Sequence, residues 1–224
     1  ADTWYIDDGD ISISAGTNGN NVTQGSTTKE NDTDTVIKSK DSSTASSNTV
    51  TIDADEGKTV NVTLDNVTIN VDEGYEHGYD PNAYKTAVSV TGSGNTNIEL
   101  NGNNTLTSGY GHAGLEHNKT DDSGTLTLQD EKNDDGSAKG SASDTTGSLT
   151  ATGGYHSAGI GGSDKQDGQA TITGGEITAT GGNGAAGIGG GAGDTDAVGG
   201  DGDVTISGGT ITATGGSLGA GIGG

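Results

Sequence analysis

Five tyrosines are the side chains in this sequence that are best suited to binding a ligand. Tyr110 and Tyr155 are 45 residues apart, at positions that an internal repeat makes equivalent, so their rings could stack on adjacent coils. The other three lie in the segment 72–85, which also holds the only proline: Tyr75, Tyr79 and Tyr84. Exposed tyrosine offers a broad contact area for sugars or proteins at a low entropy cost. We predict ligand contacts at these five residues and at the neighbouring His112 and His156. Alternatively, the tyrosines could have a structural role, in which they cover the flank of the fold or cap an open coil.

Clustered carboxylates give a second candidate site. Six aspartates occupy two corresponding Gly-rich connections: Asp164, Asp167, Asp194, Asp196, Asp201 and Asp203. Carboxylates in flexible loops suit calcium, a hard cation that takes oxygen ligands. Their spacing matches neither an EF-hand nor the Gly-Gly-x-Gly-x-Asp repeat of calcium-binding β-rolls, because position 204 is valine. Two interpretations stay open, a calcium site and a solvated acidic surface that keeps a Gly-rich chain soluble.

A third pattern is a recurring Thr-x-Thr pair, with one pair in each repeat: Thr105 and Thr107, Thr150 and Thr152, Thr178 and Thr180, Thr212 and Thr214. Stacked strands would arrange these side chains in two columns, about 4.8 Å apart between coils and about 7 Å apart along a strand. This grid resembles the ice-binding faces of antifreeze β-helices. Threonine is also favoured on exposed parallel strands, so the grid has a purely structural interpretation as well.

Composition argues against catalysis and against anionic partners. The adjacent Asp121 and Asp122 would point to opposite faces of a strand, and the chain has no arginine and few lysines to complete an active site. We therefore predict that the protein is not an enzyme. A formal net charge of −23, from 32 acidic and 9 basic residues, would repel phosphates, which predicts no nucleic-acid partner. No apolar run approaches membrane-spanning length, so we expect no membrane insertion.

An internal repeat must position these residues. The segment 149–154 recurs at 177–182 and 211–216, and an Ala-Gly-Ile-Gly-Gly segment follows each copy. Equivalent positions in the two segments (150, 178 and 212; 160, 188 and 222) shift together by 28 and 34 residues, as the strands of one coil must. Alternation predicts short strands with Ile and Ala pointing inward, and the glycines predict tight corners. The predicted fold is all-β, a right-handed parallel β-helix with three sides, Gly-Gly corners and about five to six coils.

Diverged copies extend this repeat upstream. A shift of 45 residues relates Thr105 to Thr150 and Leu115 to Ile160, which predicts an older coil and a protruding acidic loop at 130–146. We predict an opening coil or cap at 1–48 and β-helix repeats at 49–224. No signal peptide opens the chain and the last residue falls inside a repeat, so we expect the sequence to be truncated from a longer protein.

Three segments resemble a known kind of sequence: VNVTLDNVTI at 60–69, AGLEHN at 113–118 and SAGIGG at 157–162. They resemble the repetitive β-helix regions of large surface proteins from Gram-positive anaerobes, many of them gut commensals, which are related to a carbohydrate-binding β-helix family. The resemblance spans roughly residues 49–224. It implies an extracellular, wall-associated, non-catalytic binding protein. It transfers no binding residues, because the matching positions are structural.

We therefore expect a bacterial cell-surface adhesin domain that binds an extracellular ligand, either a glycan or a host protein. Some gut-commensal surface proteins bind host immunoglobulin, which keeps an immunoglobulin partner open. Ice binding through the threonine grid and a purely structural stalk also stay open. The expected functional positions are those where the repeat is broken, namely the segment 72–85, the two stacked tyrosines and the acidic loops.

Overall fold

Three parallel sheets wind around one narrow core in this protein. The computed structural model describes residues 2–131 and 146–224 of the chain. These residues form sheets of seven, five and nine strands, and nearly all neighbouring strands pair in parallel. The predicted all-β parallel β-helix is confirmed. The predicted protruding loop at 130–146 falls outside the described residues, apart from its first two residues and its last.

The first four coils contain twelve strands: β1 (Asp2–Tyr5), β2 (Ile11–Ala15), β3 (Asn20–Gln24) and β4 (Thr27–Asp32); β5 (Thr35–Lys38) and β6 (Val50–Asp53); β7 (Thr59–Asp65), β8 (Thr68–Asn70) and β9 (Val88–Thr91); β10 (Asn95–Asn101), β11 (Asn103–Thr107) and β12 (Leu115–Glu116). Two single turns of 3₁₀-helix interrupt them, at Ile6–Asp8 and Pro81–Ala83.

The next three coils are more regular, with three strands each: β13 (Leu126–Asp130), β14 (Ser148–Thr152) and β15 (Ile160–Gly161); β16 (Gly168–Ile172), β17 (Glu176–Thr180) and β18 (Ile188–Gly189); β19 (Gly202–Ile206), β20 (Thr210–Thr214) and β21 (Ile222–Gly223). The described residues therefore form seven coils, one or two more than the five to six that the repeat predicts. The extra coil comes from β5 and β6, whose sequences have diverged from the repeat.

The register of the strands follows the spacing of the repeat. Thr178 pairs with Thr150 on one side and with Thr212 on the other, and Ile188 pairs with Ile160 and Ile222. The pairing of Leu115 with Ile160 confirms the shift of 45 residues. Each residue therefore lies above its counterpart in the neighbouring coil, which makes the sequence repeat a set of columns along the axis.

Inward side chains form the core because they alternate with outward polar ones. In the coil that β10 opens, Ile98, Leu100, Leu106 and Leu115 are fully buried. In the coil of β16, the register places Ile172, Ala179 and Ile188 at the positions of Ile98, Leu106 and Leu115, so alanine replaces leucine at one of them. Each coil thus buries only a few apolar groups, and stability accumulates through contacts between neighbouring coils, as in other solenoids.

One inward position carries a buried asparagine. Asn104 is 1% exposed and occupies the column that Leu149 and Ile177 continue. Its side-chain oxygen accepts from the Val67 N–H at 2.9 Å, and its two side-chain N–H groups are shared among three carbonyl oxygens at 3.2 Å, those of Leu64, Asn101 and Ser148. The side chain therefore meets the hydrogen-bonding requirement of a buried amide while it connects three successive coils.

The N-terminal end of the core is covered by an antiparallel addition. Strand β3 pairs antiparallel with β2 and with β4, and Val22 of β3 is fully buried. The buried Trp4 donates its indole N–H to the Asp32 carboxylate at 3.2 Å, which ties β1 to the end of β4. The exposed strand β4 carries Lys29 and Glu30, charges of the kind that discourage another chain from pairing with an edge.

Replacing an inward and an outward residue of β17 should separate burial from pairing. Ile177→Ala removes a fully buried side chain that packs in the core, so we expect a loss of about 2–5 kcal/mol in unfolding free energy. The neighbouring Thr178 points outward, and Thr178→Ala should cost less than about 1 kcal/mol. Urea unfolding followed by circular dichroism measures both. Equal losses would contradict the assignment of inward and outward faces.

Candidate functional site

The turns that connect the second sheet to the third lie above one another. The segments 108–114 and 153–159 each join strands whose ends are in register. The Gly154 N–H donates to the His112 carbonyl and the Gly182 N–H donates to the Ser157 carbonyl, both at 2.9 Å, so successive turns are also hydrogen-bonded. In the coil of β8 and β9 this turn is replaced by a longer segment, residues 72–85, which we call the tyrosine loop.

Two tyrosines stack where adjacent turns meet. The ring centroids of Tyr110 and Tyr155 are 5.1 Å apart and their planes differ by 14°, as their 45-residue spacing predicts. Gly111 follows Tyr110 with a φ of +77°, a left-handed conformation that favours glycine. His156 occupies the equivalent position with a φ of +61°, and its ring stacks on Tyr155 at 3.8 Å. The stack therefore has three rings, from two coils.

The tyrosine loop brings the other three predicted tyrosines to this stack. Tyr75 lies 5.5 Å from Tyr110 and 6.3 Å from Tyr155, with its ring nearly perpendicular to both. Tyr79 and Tyr84 lie 6.1 Å and 5.3 Å from Tyr110. All five predicted tyrosines are therefore in one group, which we call the tyrosine cluster. Edge-to-face and offset-stacked arrangements of this kind are favourable for aromatic pairs.

The members of the tyrosine cluster differ in exposure. Tyr84 is 6% exposed, and its hydroxyl donates to the Gly78 carbonyl at 2.6 Å and accepts from the His77 N–H at 3.0 Å. Tyr84 therefore holds the loop together and is not available to a ligand. Tyr110 is 7% exposed and supports the cluster from below. Tyr75 and Tyr79 present the aromatic surface, since they are 61% and 82% exposed.

A pocket of about 200 Å³ opens beside the cluster. Tyrosine rings and a strip of bare backbone line it, with one carboxylate at its edge: Tyr75, Tyr110, Tyr155, Gly74, Gly153, Gly154, Gly182 and Asp72. A Cβ atom at Gly154 or Gly182 would overlap the backbone of the preceding turn, so glycine is required for the turns to stack this closely. The same absence of side chains leaves the pocket open.

His112 connects the tyrosine loop to the β-helix. Its Nδ1 lies 3.1 Å from Oε1 of Glu116 and its Nε2 lies 2.9 Å from the Pro81 carbonyl oxygen. A carboxylate and a carbonyl are both acceptors, so both hydrogen bonds form together only when the imidazole is protonated. Burial alone would lower the pKa of His112, but the hydrogen bond and charge of Glu116 and the carbonyls of Pro81 and Tyr84 raise it overall. His112 is thus a positioning residue for the loop.

The electrostatic environment of the cluster is negative. Burial raises the pKa of the Tyr110 hydroxyl, and the nearby charge of Asp164 raises it further. Oδ1 of Asp164 lies 3.4 Å from Nδ1 of His156. Lys165 contacts Asp194 at 2.8 Å, so this cation is held in an ion pair beside the cluster.

The six aspartates predicted to bind calcium do not form one site. Asp194 pairs with Lys165 and Asp203 pairs with Lys119 at 2.7 Å, whereas Asp164 faces His156. The Asp167 carboxylate accepts from the backbone N–H of Asp201 at 2.7 Å, and that of Asp194 accepts from the N–H of Asp196 at 2.9 Å. Among residues 2–131 and 146–224, no group of three or more His, Asp or Glu side chains is arranged to hold a metal ion. Several of these carboxylates are used within the loops, and calcium binding stays a prediction.

The threonines form the predicted grid on the second sheet. One column contains Thr105, Thr150, Thr178 and Thr212, and the other contains Thr107, Thr152, Thr180 and Thr214. Thr68 continues the first column into the coil of β8, where Asn70 takes the place of the second threonine. Thr150, Thr212 and Thr214 are exposed and the other five predicted members are half-buried.

Comparison with known proteins supports the architecture. The family described as "Beta helix repeat" matches three segments: 147–164, 171–192 and 204–224. These segments lie in the last three coils, C-terminal to the tyrosine loop. Comparisons with curated proteins and with solved structures gave no significant match. The parallel β-helix is therefore supported by sequence similarity as well as by the strand pairing. The comparisons do not identify a ligand, so a ligand can be inferred only from the geometry of the site. The described residues include no helix long and apolar enough to cross a membrane.

Two residues of this site were not predicted from the sequence. Glu116 follows His112 by four positions, and this spacing alone does not distinguish a pair from two loop residues in a chain with so many carboxylates. Asp72 was predicted only as the start of a loop. Its position at the pocket depends on how the tyrosine loop folds back over the Tyr110–Tyr155 stack. The spacing of the sequence repeat carries no information about that folding.

The hydrogen bonds of His112 make the tyrosine loop sensitive to pH. Because the folded-state pKa is raised, the stabilisation is fully present below the unfolded value of about 6.5 and is lost as the pH rises through the folded value. We expect amide hydrogen exchange in the tyrosine loop, corrected for the intrinsic pH dependence of exchange, to become faster as the pH rises above about 6.5. His112→Gln should remove this change.

His77→Gln is the matched control, since His77 lies in the same loop but contacts only Glu73 and the Tyr84 ring among the described side chains. This variant should keep the pH dependence. A pH dependence that disappears with His77 and persists without His112 would contradict the assignment.

Proposed function

We propose that this chain is a non-catalytic binding domain of an extracellular, cell-surface protein and that it holds a glycan against the tyrosine cluster. The observation that carries the proposal is the exposure of Tyr75 and Tyr79, at 61% and 82%, on top of the buried Tyr110. Two tyrosine rings that remain exposed while packed against a fixed aromatic support form a surface suited to stacking against sugar rings. The adhesin function predicted from the sequence is consistent with such a surface.

The pocket supports a glycan more than a flat protein surface. Its volume of about 200 Å³ is small, and it combines aromatic rings, backbone groups and one carboxylate. Recognition of small ligands uses a few polar groups among mostly apolar walls to fix the ligand's orientation. The apolar face of a sugar ring can stack on tyrosine, and the hydroxyl groups of the same sugar can form hydrogen bonds with the backbone and with Asp72. A sugar is therefore complementary to both the apolar and the polar parts of the pocket.

The site is also largely preorganised. The stacked turns are fixed by backbone hydrogen bonds, and the tyrosine loop is fixed by the hydroxyl of Tyr84 and the imidazole of His112. A ligand would therefore not have to order the residues that bind it, which lowers the entropy cost of binding.

Removing the exposed tyrosines tests the proposal directly. We expect Tyr75→Ala and Tyr79→Ala each to weaken binding to glycans selected on a glycan array by about three- to tenfold, because each removes one stacking face. Both side chains are exposed, so the fold should be kept. Isothermal titration calorimetry with the selected oligosaccharide measures the loss.

Tyr5→Ala is the matched control, because Tyr5 is 37% exposed in the first coil and contacts Lys40 rather than the tyrosine cluster. It should bind as the unmodified protein does. Unchanged glycan binding in the double variant Tyr75→Ala/Tyr79→Ala would overturn the proposed site. Capture of immunoglobulin or another host protein, with no glycan bound on the array, would favour a protein ligand instead.

The threonine grid supports a second candidate, ice binding. The register aligns the threonines in two columns over four coils, and a surface that matches an ice lattice needs such a regular arrangement. The unmodified protein should then inhibit ice recrystallisation, and Thr178→Lys in the centre of the grid should abolish most of that inhibition. Thr171→Lys is the control, because Thr171 lies on the first sheet. No inhibition by the unmodified protein would exclude this candidate.

A further inference from the structure

The pocket beside the tyrosine cluster has an electrostatic preference that its shape alone does not reveal. Asp72 is the only charged side chain among the residues that line it. Its Oδ1 accepts from the Gly74 N–H at 2.9 Å, which fixes the carboxylate at the edge of the pocket. The Asp72 side chain is exposed, so its charge is accessible to a ligand that enters the pocket.

The surroundings increase the negative potential. The tyrosine loop contains four acidic residues and one lysine: Asp72, Glu73, Glu76, Asp80 and Lys85. Burial is the larger cause of the raised pKa of the Tyr110 hydroxyl, at the base of the cluster. The negative charge of Asp164 raises this pKa further, because it disfavours the phenolate form. A field that opposes a negative charge at Tyr110 favours a positive charge nearby.

Neighbouring cations do not neutralise this field. Lys165 is paired with Asp194 at 2.8 Å, and His77 contacts Glu73 at 3.1 Å. Within the part of the chain that the structure describes, Asp72 lies within ion-pairing distance of no cationic side chain. The pocket therefore has a fixed carboxylate without a cationic partner of its own, next to aromatic rings.

We propose that the pocket selects a glycan that carries free amino groups, with the ammonium group of an amino sugar beside Asp72 and the sugar ring against Tyr75. This inference rests on the proposed glycan-binding function and adds the chemical class of the ligand. An ammonium ion gains from the carboxylate by charge pairing and from exposed tyrosine by attraction to the negative face of the ring. An acidic or sulfated glycan would be repelled by the same groups.

The formal net charge of −23 acts in the same direction over longer distances. A polymer of amino sugars is positively charged in mildly acidic solution and would be attracted to this surface before contact. The association should then be salt-dependent, because charges on the surface are screened at about 10 Å in 0.1 M salt.

A pair of oligosaccharides that differ only in the amine tests the inference. A β-1,4-linked glucosamine tetramer should bind about three- to tenfold more tightly than its fully N-acetylated counterpart in low salt, in the range expected for one ion pair with a cation–π contact. The difference should shrink in about 0.5 M sodium chloride. Calorimetric titrations of the full chain at about pH 6 measure both affinities.

Asp72→Asn keeps an acceptor for the Gly74 N–H and removes the charge, so it should weaken binding of the glucosamine tetramer more than that of the N-acetylated tetramer and thereby abolish the preference for the amine. Asp55→Asn is the matched control, since it changes the net charge equally at an exposed turn outside the pocket lining. The preference should survive in this control.

Equal affinity for the two tetramers would overturn the inference and leave the proposed function in place, as would binding of other array glycans without either tetramer. No binding to any glycan would overturn both. A lysine-rich peptide that binds as tightly as the glucosamine tetramer, with the same dependence on Asp72, would also overturn the inference, because the site would then recognise positive charge without the sugar.

Discussion

The close stacking of one coil on the next is the constraint on which the rest of this structure depends. Each coil buries few apolar side chains, so a coil without its neighbours would have almost no core. The coils approach closely because glycines occupy the corners, where the Cβ atoms of larger residues at Gly154, Gly182 or Gly216 would overlap the carbonyl oxygen of the preceding coil. Backbone hydrogen bonds then run from coil to coil along the sheets and also through several turns.

This constraint separates the positions that build the fold from those that are free to vary. Inward residues and corner glycines are set by stacking, whereas the turns between the second and third sheets can lengthen without disturbing the columns. The tyrosine loop is such an extension, and its sequence is unlike that of the regular turns at 181–187 and 215–221. A regular scaffold therefore supports one irregular segment, and the aromatic side chains of that segment rest on rings from two adjacent turns.

Much of the fold could be predicted because residues separated by one repeat length pair with each other in neighbouring coils. The shifts of 28, 34 and 45 residues predicted the registers of the last four coils and the stack of Tyr110 on Tyr155. The second coil was missed because Ser46 supplies only a single bridge where later coils have a strand. The burial of Tyr84 and the ion pairs of Asp194 and Asp203 could not be predicted from spacing, since they depend on how individual loops fold over their neighbours.

The buried Asn104 has a consequence for how the coils find their partners. The coils of β14, β17 and β20 are so alike that a shift by one whole coil would match apolar residues with apolar residues and threonine with threonine. Asn104 has no counterpart in those coils, and its amide is satisfied only when Val67 and Leu64 lie on one side and Ser148 on the other. An alignment that brought no backbone groups to these positions would leave this amide buried without partners, at a cost of about 1–3 kcal/mol. Asn104 thus adds a hydrogen-bonding requirement to a column that Leu149 and Ile177 continue with apolar side chains.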